Sequence, residues 1–255
     1  MCKLLEIKSL NFRFENKCIL SNVSLNIGQG ECIGVIGKNG AGKSTLFSCI
    51  TGENKKYSGE ILLDGETMKV FSSKERAKKI SFIPQNFKVE NNFCTVEEFV
   101  VQGRRPYSYL GFFKKEDFEI ANKYIECCKL KKLKEKLLSE ISGGEFQRAQ
   151  IARAMTQGAN ILIFDETLSS CDIQVQNDFF KIIKSMLVEK NMSILLSIHD
   201  INLALKFCSR IIMLKDGNVL FDDNVENVSA ELLSKCFDTE VTRERNQIYK
   251  NYFYY

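Results

Sequence analysis

The stretch Gly37-Lys38-Asn39-Gly40-Ala41-Gly42-Lys43-Ser44 fits the spacing G-x-x-x-x-G-K-[ST]. Glycines so placed let backbone amides curl around phosphate oxygens. Lys43 then sets a cation against β and γ phosphates, and the Ser44 hydroxyl offers a ligand to Mg²⁺. The candidate contacts are Gly37, Asn39, Gly40, Ala41, Gly42, Lys43, Ser44 and the next residue, Thr45. A glycine-rich turn that binds nothing is the plain alternative. The flanking sequence speaks against it: Cys32-Ile33-Gly34-Val35-Ile36 is continuously apolar, as a buried strand is, and 43–51 has helical spacing.

A P-loop needs a metal-directed acid from another strand. Ile161-Leu162-Ile163-Phe164 is an apolar run that ends in Asp165-Glu166. Asp165 is suited to hold Mg²⁺ directly or through water, and Glu166 to polarise an attacking water. Ile141-Ser142-Gly143-Gly144-Glu145 reads first as a capping box, with Ser142 at the cap and Glu145 three residues on. Two glycines directly after the cap leave the amides bare, so the same helix start also suits a phosphate. His199 is the only histidine in the chain; it ends an apolar run and precedes Asp200. A single histidine is commonly a satisfied structural residue.

Ser142-Gly143-Gly144-Glu145-Phe146-Gln147-Arg148 resembles the signature sequence of the ABC-type ATPases, and the resemblance extends over nearly the entire chain. It implies an ATPase with ATP and Mg²⁺ as cofactors. Ser142, Gly143 and Gly144 would contact the γ-phosphate held by the P-loop of a second copy, in a head-to-tail homodimer formed on nucleotide binding. By the same resemblance Phe14 is the aromatic that stacks on adenine, Gln85 the Q-loop residue that meets Mg²⁺ and water, and His199 the switch residue on the γ-phosphate. Asp172, closing Ser169-Ser170-Cys171-Asp172, is the D-loop acid. The implied catalytic set is Glu166, His199 and Gln85, and the implied metal ligands are Ser44, Gln85 and Asp165.

Some positions depart from the family pattern. Ile141 replaces the usual Leu, and Thr167-Leu168 stand where Pro-Thr is common; both bear on the hydrolysis rate and not on the assignment. Phe146 replaces a common polar residue, either to pack against a partner or to shield the loop.

The elements that must hold these residues follow from periodicity. Residues 4–14 and 17–27 alternate around Glu15-Asn16, as an antiparallel hairpin does. Short strands are expected at 59–64, 80–83, 161–164, 193–198, 210–214 and 218–221, the last two joined by the Asp216-Gly217 turn. Helical spacing marks 96–101, 118–130, 143–155, 173–189 and 201–207, with Thr95 and Glu98 as a capping box. Apolar strands alternating with helices indicate a mostly parallel sheet covered on both faces. The expected fold is thus α/β: a P-loop NTPase of the ABC type, with an N-terminal antiparallel β part and an inserted helical subdomain. Residues 85–155 form the insert with the signature motif, and 1–84 with 156–255 the RecA-like core, within a single domain of 255 residues.

Composition excludes several classes. Apolar residues are 44% of the chain and charged residues 27%, a globular balance and not a disordered one. Lys plus Arg is 36 against 32 for Asp plus Glu, so the net +4 gives no reason to expect nucleic acid. The densest basic run, Lys129, Lys131, Lys132, Lys134 and Lys136, is interleaved with leucines, as on an amphipathic segment that turns its charges to water. Ten cysteines without C-x-x-C or metal spacing, and no secretory leader at the start, suit a reducing cytosol. Cys32, Cys49 and Cys208 read as small core residues; Cys127-Cys128 has no evident purpose. No apolar run nears the roughly 20 residues that cross a bilayer, so a membrane role must come through a partner.

Two segments narrow the transporter class. His199-Asp200-Ile201-Asn202-Leu203-Ala204 and Gly103-Arg104-Arg105-Pro106 resemble the ATPases of iron-siderophore, haem and cobalamin importers. Their plain readings are a capped helix, and a glycine ending a helix with proline beyond it. The resemblance implies a peripheral subunit at the cytoplasmic face of the cell membrane, bound to integral permease subunits and serving, through them, a substrate-binding protein. A soluble ABC ATPase of an assembly complex, and an importer ATPase for a metal ion or oxyanion, stand as alternatives. A P-loop kinase would leave the signature helix without a purpose. The tail at 249–255, with five aromatic residues, is open between a strand remnant and a contact surface.

Overall fold

Alternating and uninterrupted apolar runs give this chain two kinds of sheet, which a computed structural model describes for residues 3–85, 87, 93–166, 173–190, 192–245 and 252–254. Asp172, Thr167-Leu168, and 249–251 and 255 of the tail lie outside the described residues. In chain order the first elements are β1 (Lys3–Phe14), β2 (Lys17–Gly28), β3 (Cys32–Ile36), α1 (Lys43–Thr51), β4 (Tyr57–Leu63) and β5 (Glu66–Thr67). Next come α2 (Ser73–Lys79), β6 (Ile80–Ile83), α3 (Val96–Val101), α4 (Lys115–Cys127), α5 (Gly143–Thr156), β7 (Ile161–Asp165) and α6 (Ile173–Lys190). The last are β8 (Ser193–Ser197), α7 (Ile201–Phe207), β9 (Arg210–Lys215), β10 (Asn218–Asn224), α8 (Ala230–Phe237), β11 (Arg243–Arg245) and β12 (Tyr252–Tyr254).

One compact unit joins Met1–Val70 to Ser193–Tyr255. Its antiparallel sheet runs β2-β1-β4-β5. The hairpin turns at Glu15, whose φ is +51°, and Leu5, Ile7, Leu10 and Phe12 of β1 are buried. Register shifts between Ile7 and Phe12 carry Ser9 and Asn22 to positive φ, where side chains replace ladder bonds: Ser9 N donates to Ser24 Oγ (2.8 Å) and Asn22 N to Asn11 Oδ1 (2.9 Å).

The second sheet of this unit lines up β10, β9, β3 and β8. β3 runs parallel to both β8 and β9, and β10 is antiparallel to β9 across the Asp216-Gly217 turn. Every residue of β3 and β8 is buried, which is why these strands do not alternate. Cys32, Cys49 and Cys208 are buried among them, and burial pushes the Cys49 thiol up to about 12. Arg210 ties the sheet's edge: its guanidinium donates to both Asp222 carboxylate oxygens (2.6 and 2.8 Å) and to Glu31 Oε2 (3.3 Å).

The other unit is Phe71–Met192. It holds the 85–155 lobe together with α2, the parallel pair β6 and β7, and α6. Helices α3, α4 and α5 pack on one another through Val96, Phe99, Val100, Ala121, Ile125, Ala149 and Ala152, all buried. Two corrections to the helical reading arise here. α4 spans Lys115–Cys127 and not 118–130, because Asp117 accepts from Lys114 N (2.9 Å) to start it and Lys129, at φ +59°, ends it. α2, absent from the periodicity, is a short polar helix with no buried residue, held by a Ser72–Glu75 capping box.

The lysine run after α4 is a chain of turns with its charges outward and Leu130 and Leu138 buried; Lys131 pairs with Glu126 (2.5 Å) and Lys134 with Glu97 (2.9 Å). Cys128 belongs to the core, where burial lifts its thiol to about 12, and Cys127 faces outward.

Candidate functional site

The P-loop turns out of β3 as a buried strand must if its end is to reach solvent. Gly37 makes the first bend at φ +153°, and a Cβ there would stand 2.3 Å from the Leu214 carbonyl oxygen of β9. No side chain fits that approach. Gly37→Ala should lower stability by about 1–3 kcal/mol and loosen the loop, read as a drop in melting temperature with weakened nucleotide binding. An unchanged melt would show that the loop does not need this contact.

Lys43, only 4% exposed, curls back into its own loop: Nζ donates to the carbonyls of Gly37 (2.8 Å) and Lys38 (3.2 Å). Lys38, Asn39, Gly40 and Ser44 are exposed, and a Cβ on Gly40 would meet nothing within 4 Å, so the concave side of the loop is open. Gly42 caps α1, whose first turn carries no acid to offset its positive end. Ala41 is buried and Thr45 half-buried.

The loop is also tied from below, which the sequence does not announce. Lys38 Nζ pairs with Asp238 Oδ2 (3.0 Å), and Asp238 pairs in turn with Lys215. Hydrogen bonds from Lys215 and then Lys38 hold the Asp238 carboxyl below the usual carboxylate range.

His199 reaches the same end of the same sheet by register. Val35 lies opposite Ser197, and Ile198 N donates to Val35 O (3.3 Å), so Gly37 and His199 each leave the sheet two residues further on. His199 is exposed, and Asp200 caps α7 by accepting from Leu203 N (3.1 Å). Phe14 ends β1 with 65% of its surface exposed, an unusual cost for a phenylalanine and available for stacking.

In the other unit, β6 and β7 do for Gln85 and Glu166 what β3 and β8 do for the loop and His199. Ile83 lies opposite Phe164, and two residues beyond each the Gln85 amide donates to the Glu166 carboxylate. Glu166 sits at φ +50°, a strained conformation for a residue with a side chain, and Asp165 before it is 3% exposed. The donors assigned to Mg²⁺, a serine hydroxyl, an aspartate and the amide oxygen of Gln85, are all hard oxygens and suit that cation.

Ser142 caps α5 as a full capping box. Its backbone N donates to Glu145 Oε2 (2.8 Å), its Oγ donates to the same oxygen (2.9 Å), and Glu145 N donates back to Oγ (3.3 Å). These bonds from Ser142 hold the Glu145 carboxyl below its ordinary range. Gly143 is exposed, with nothing within 4 Å of its would-be Cβ. Phe146 turns inward, its ring 5.6 Å from Phe99 and 6.3 Å from Phe87. Of its two sequence readings, shielding beneath the loop is the one this packing favours.

A loop of this form, with its lysine already turned inward at the end of a buried parallel strand, makes the chain a P-loop nucleotide-binding protein. Residues 20–169 match the ABC transporter family, and the chain belongs to it; the members are ATP-binding cassettes, ATPases coupled to transport. It is 33% identical over 239 residues to the petrobactin import ATP-binding protein YclP of Bacillus subtilis, covering 93% of this chain and 94% of that one. To the hemin import ATP-binding protein HmuV of Pseudomonas fluorescens it is 33% identical, with 93% and 94% covered. To the phosphonates import ATP-binding protein PhnC of Fusobacterium nucleatum it is 31% identical, with 92% and 98% covered. Among solved structures, the dimeric post-hydrolysis state of the cassette MJ0796, bound to ADP and Pi, superposes with a TM-score of 0.76 at 27% identity, covering 88% of this chain and all of that one. The ADP conformation of the cassette MJ1267 superposes at 0.81 with 21% identity, over 92% of this chain and 98% of that one, which bears on the fold.

Proposed function

We propose that this chain is the ATP-hydrolysing subunit of a membrane importer for an iron complex, a siderophore or haem, or for cobalamin. The observation that carries the hydrolytic half is the hydrogen bond from Gln85 to Glu166 at the paired ends of β6 and β7. An amide fixed on a carboxylate leaves the other carboxylate oxygen to take a proton from water, and the amide oxygen to orient that water. Glu166 is the base, Gln85 the orienting group and His199 the donor to the γ-phosphate. Phe14 stacks on adenine, and the amides of 37–45 with Lys43 hold the phosphates.

Mg²⁺, when bound, neutralises charge developing on the transferred phosphate; Ser44, Asp165 and Gln85 would hold it. The bare amides of Gly143 and Gly144 complete the phosphate shell from a second copy, with the Ser142 hydroxyl swinging off Glu145, and Asp172 is assigned by resemblance as the D-loop acid. Closing of the homodimer pulls on permease subunits and hydrolysis releases them, so binding does the mechanical work. Attachment at the cytoplasmic membrane face comes through the permease, since no helix among the described residues is long and apolar enough to cross a bilayer. A substrate-binding protein delivers the cargo. The petrobactin and hemin relatives support the iron-complex reading, alongside the segments at 103–106 and 199–204.

Reconstitution of the chain with a candidate importer permease, in vesicles supplied with ferric siderophore, haem, cobalamin or a phosphonate, tests both levels. ATP-dependent uptake of one of the first three is expected. Uptake of the phosphonate alone would keep the importer and replace the cargo. A chain that fractionates only with soluble proteins would be an assembly ATPase instead.

A further inference from the structure

The short helix α8 ends against the P-loop and reaches it by two routes. The fully buried Cys236 thiol donates to the Leu214 carbonyl of β9 (3.8 Å), the oxygen against which Gly37 is pressed. Two residues on, Asp238 pairs with the Lys38 ammonium (3.0 Å) and with Lys215 at the end of β9. Lys215 also donates to the Lys235 carbonyl in the last turn of α8 (2.6 Å), so helix end, strand end and loop are laced together.

On local grounds an aspartate is ill suited to this place. Asp238 ends α8 at φ +50° and ψ +41°, the left-handed region that glycine enters without strain. Its carboxylate also stands at the negative end of the helix, where a cation is favoured and an acid is not. Helix geometry alone therefore asks for glycine, and the two lysines are what offset the aspartate. Little stability comes of the tie to the loop, because the side chains of Lys38 and Asp238 are 48% and 55% exposed and such pairs are weakened by water. Its effect falls instead on the loop to which Lys38 belongs.

The Lys38 carbonyl accepts from Ala41 N (3.1 Å) and from Lys43 Nζ (3.2 Å), one contact setting the curl of the loop and the other bracing its cation. With its side chain gripped by Asp238 and its carbonyl loaded by these donors, the Lys38 residue is held at both ends. We propose that Asp238 is a positioning residue of the nucleotide site: by gripping the Lys38 ammonium it fixes the peptide that shapes the P-loop and braces Lys43, so the loop meets phosphate already formed. The proposal rests on the reading of Lys43 as the phosphate-binding cation. A loop ordered beforehand gives up less freedom on binding, and that saving appears as affinity.

Asp238→Gly tests this, because it removes the grip while easing the backbone and the helix end. Its melting temperature should equal or exceed that of the wild type. A fluorescent ATP analogue should nevertheless bind roughly threefold to fivefold more weakly, the span of a partly exposed ion pair. KM for ATP should rise by the same factor with kcat at saturating ATP unchanged, since Asp238 acts on binding through Lys38 and not on the chemical step. In a Lys38→Gln background the same substitution should have no further effect. Other roles give other results. A mere helix end predicts equal affinity, and a mere negative charge beside an anion site predicts tighter binding once it is gone; either result overturns the proposal. An equal loss in the Lys38→Gln background, or a fall in kcat with KM unchanged, overturns it as well. A wild-type chain that binds no ATP analogue would defeat the reading of Lys43 too, whereas a wild type that binds and an Asp238→Gly that binds as well defeats the proposal alone.

Discussion

Glu166→Gln should bind Mg-ATP as the wild type does and hydrolyse it at least a hundredfold more slowly, the order of magnitude a positioned general base supplies. The substitution is nearly isosteric at a backbone that already tolerates a long side chain at φ +50°. What it removes is the proton acceptor. Gln85 now donates to a carboxylate; in the variant it faces a neutral amide that can still accept that bond, so geometry survives while chemistry stops. ATP held without turnover should keep two copies closed, and the variant should elute as a dimer in size-exclusion chromatography with Mg-ATP. Monomers that release phosphate at the wild-type rate would refute the assignment of Glu166.

Lys43→Ala acts one step earlier. The amine reaches the Gly37 and Lys38 carbonyls at 2.8 and 3.2 Å, so it braces the loop as well as charging it. Its loss removes a charge-assisted contact to phosphate worth about 2–3 kcal/mol, which is roughly a hundredfold in affinity. Titration with a fluorescent ATP analogue reads this directly. Equal affinity in the two proteins would mean that phosphate is held elsewhere. The two variants therefore part company: one binds without turning over, the other binds about a hundredfold more weakly.

How far the site could be read before the fold was known differs from residue to residue. The P-loop was plain because a continuous apolar run, a glycine loop and a helical period follow one another, and α1 spans Lys43–Thr51 as that switch of period requires. Gln85 carries no such signal. A glutamine after a proline is ordinary, and only the register of β6 on β7 makes it a neighbour of Glu166; its role came from resemblance alone. Asp238 lies 200 residues from Lys38 in the chain and could not have been paired with it by pattern. Short helices escape periodicity for a physical reason: α2 is polar and buries nothing, so its Ser72 cap is the sole clue, and α8, though amphipathic, is only two turns long and shows its period in Leu233 and Cys236 after the Ser229 cap. The shift of α4 has the same origin, since a cap at Lys114 outweighed the apolar spacing that began at Phe118.

The closed ring of hydrogen bonds around Ser142 and Glu145 has a bearing on reversibility. A helix start that awaits a visiting phosphate would, if left bare, be a standing invitation to any anion and to chance self-association. Here the resting surface satisfies itself, so meeting a nucleotide exchanges one hydroxyl bond for another at little net gain. Separation of the copies after each cycle then carries little penalty, and the engagement of two subunits is governed by what sits in the cradle and not by an intrinsic stickiness of the protein.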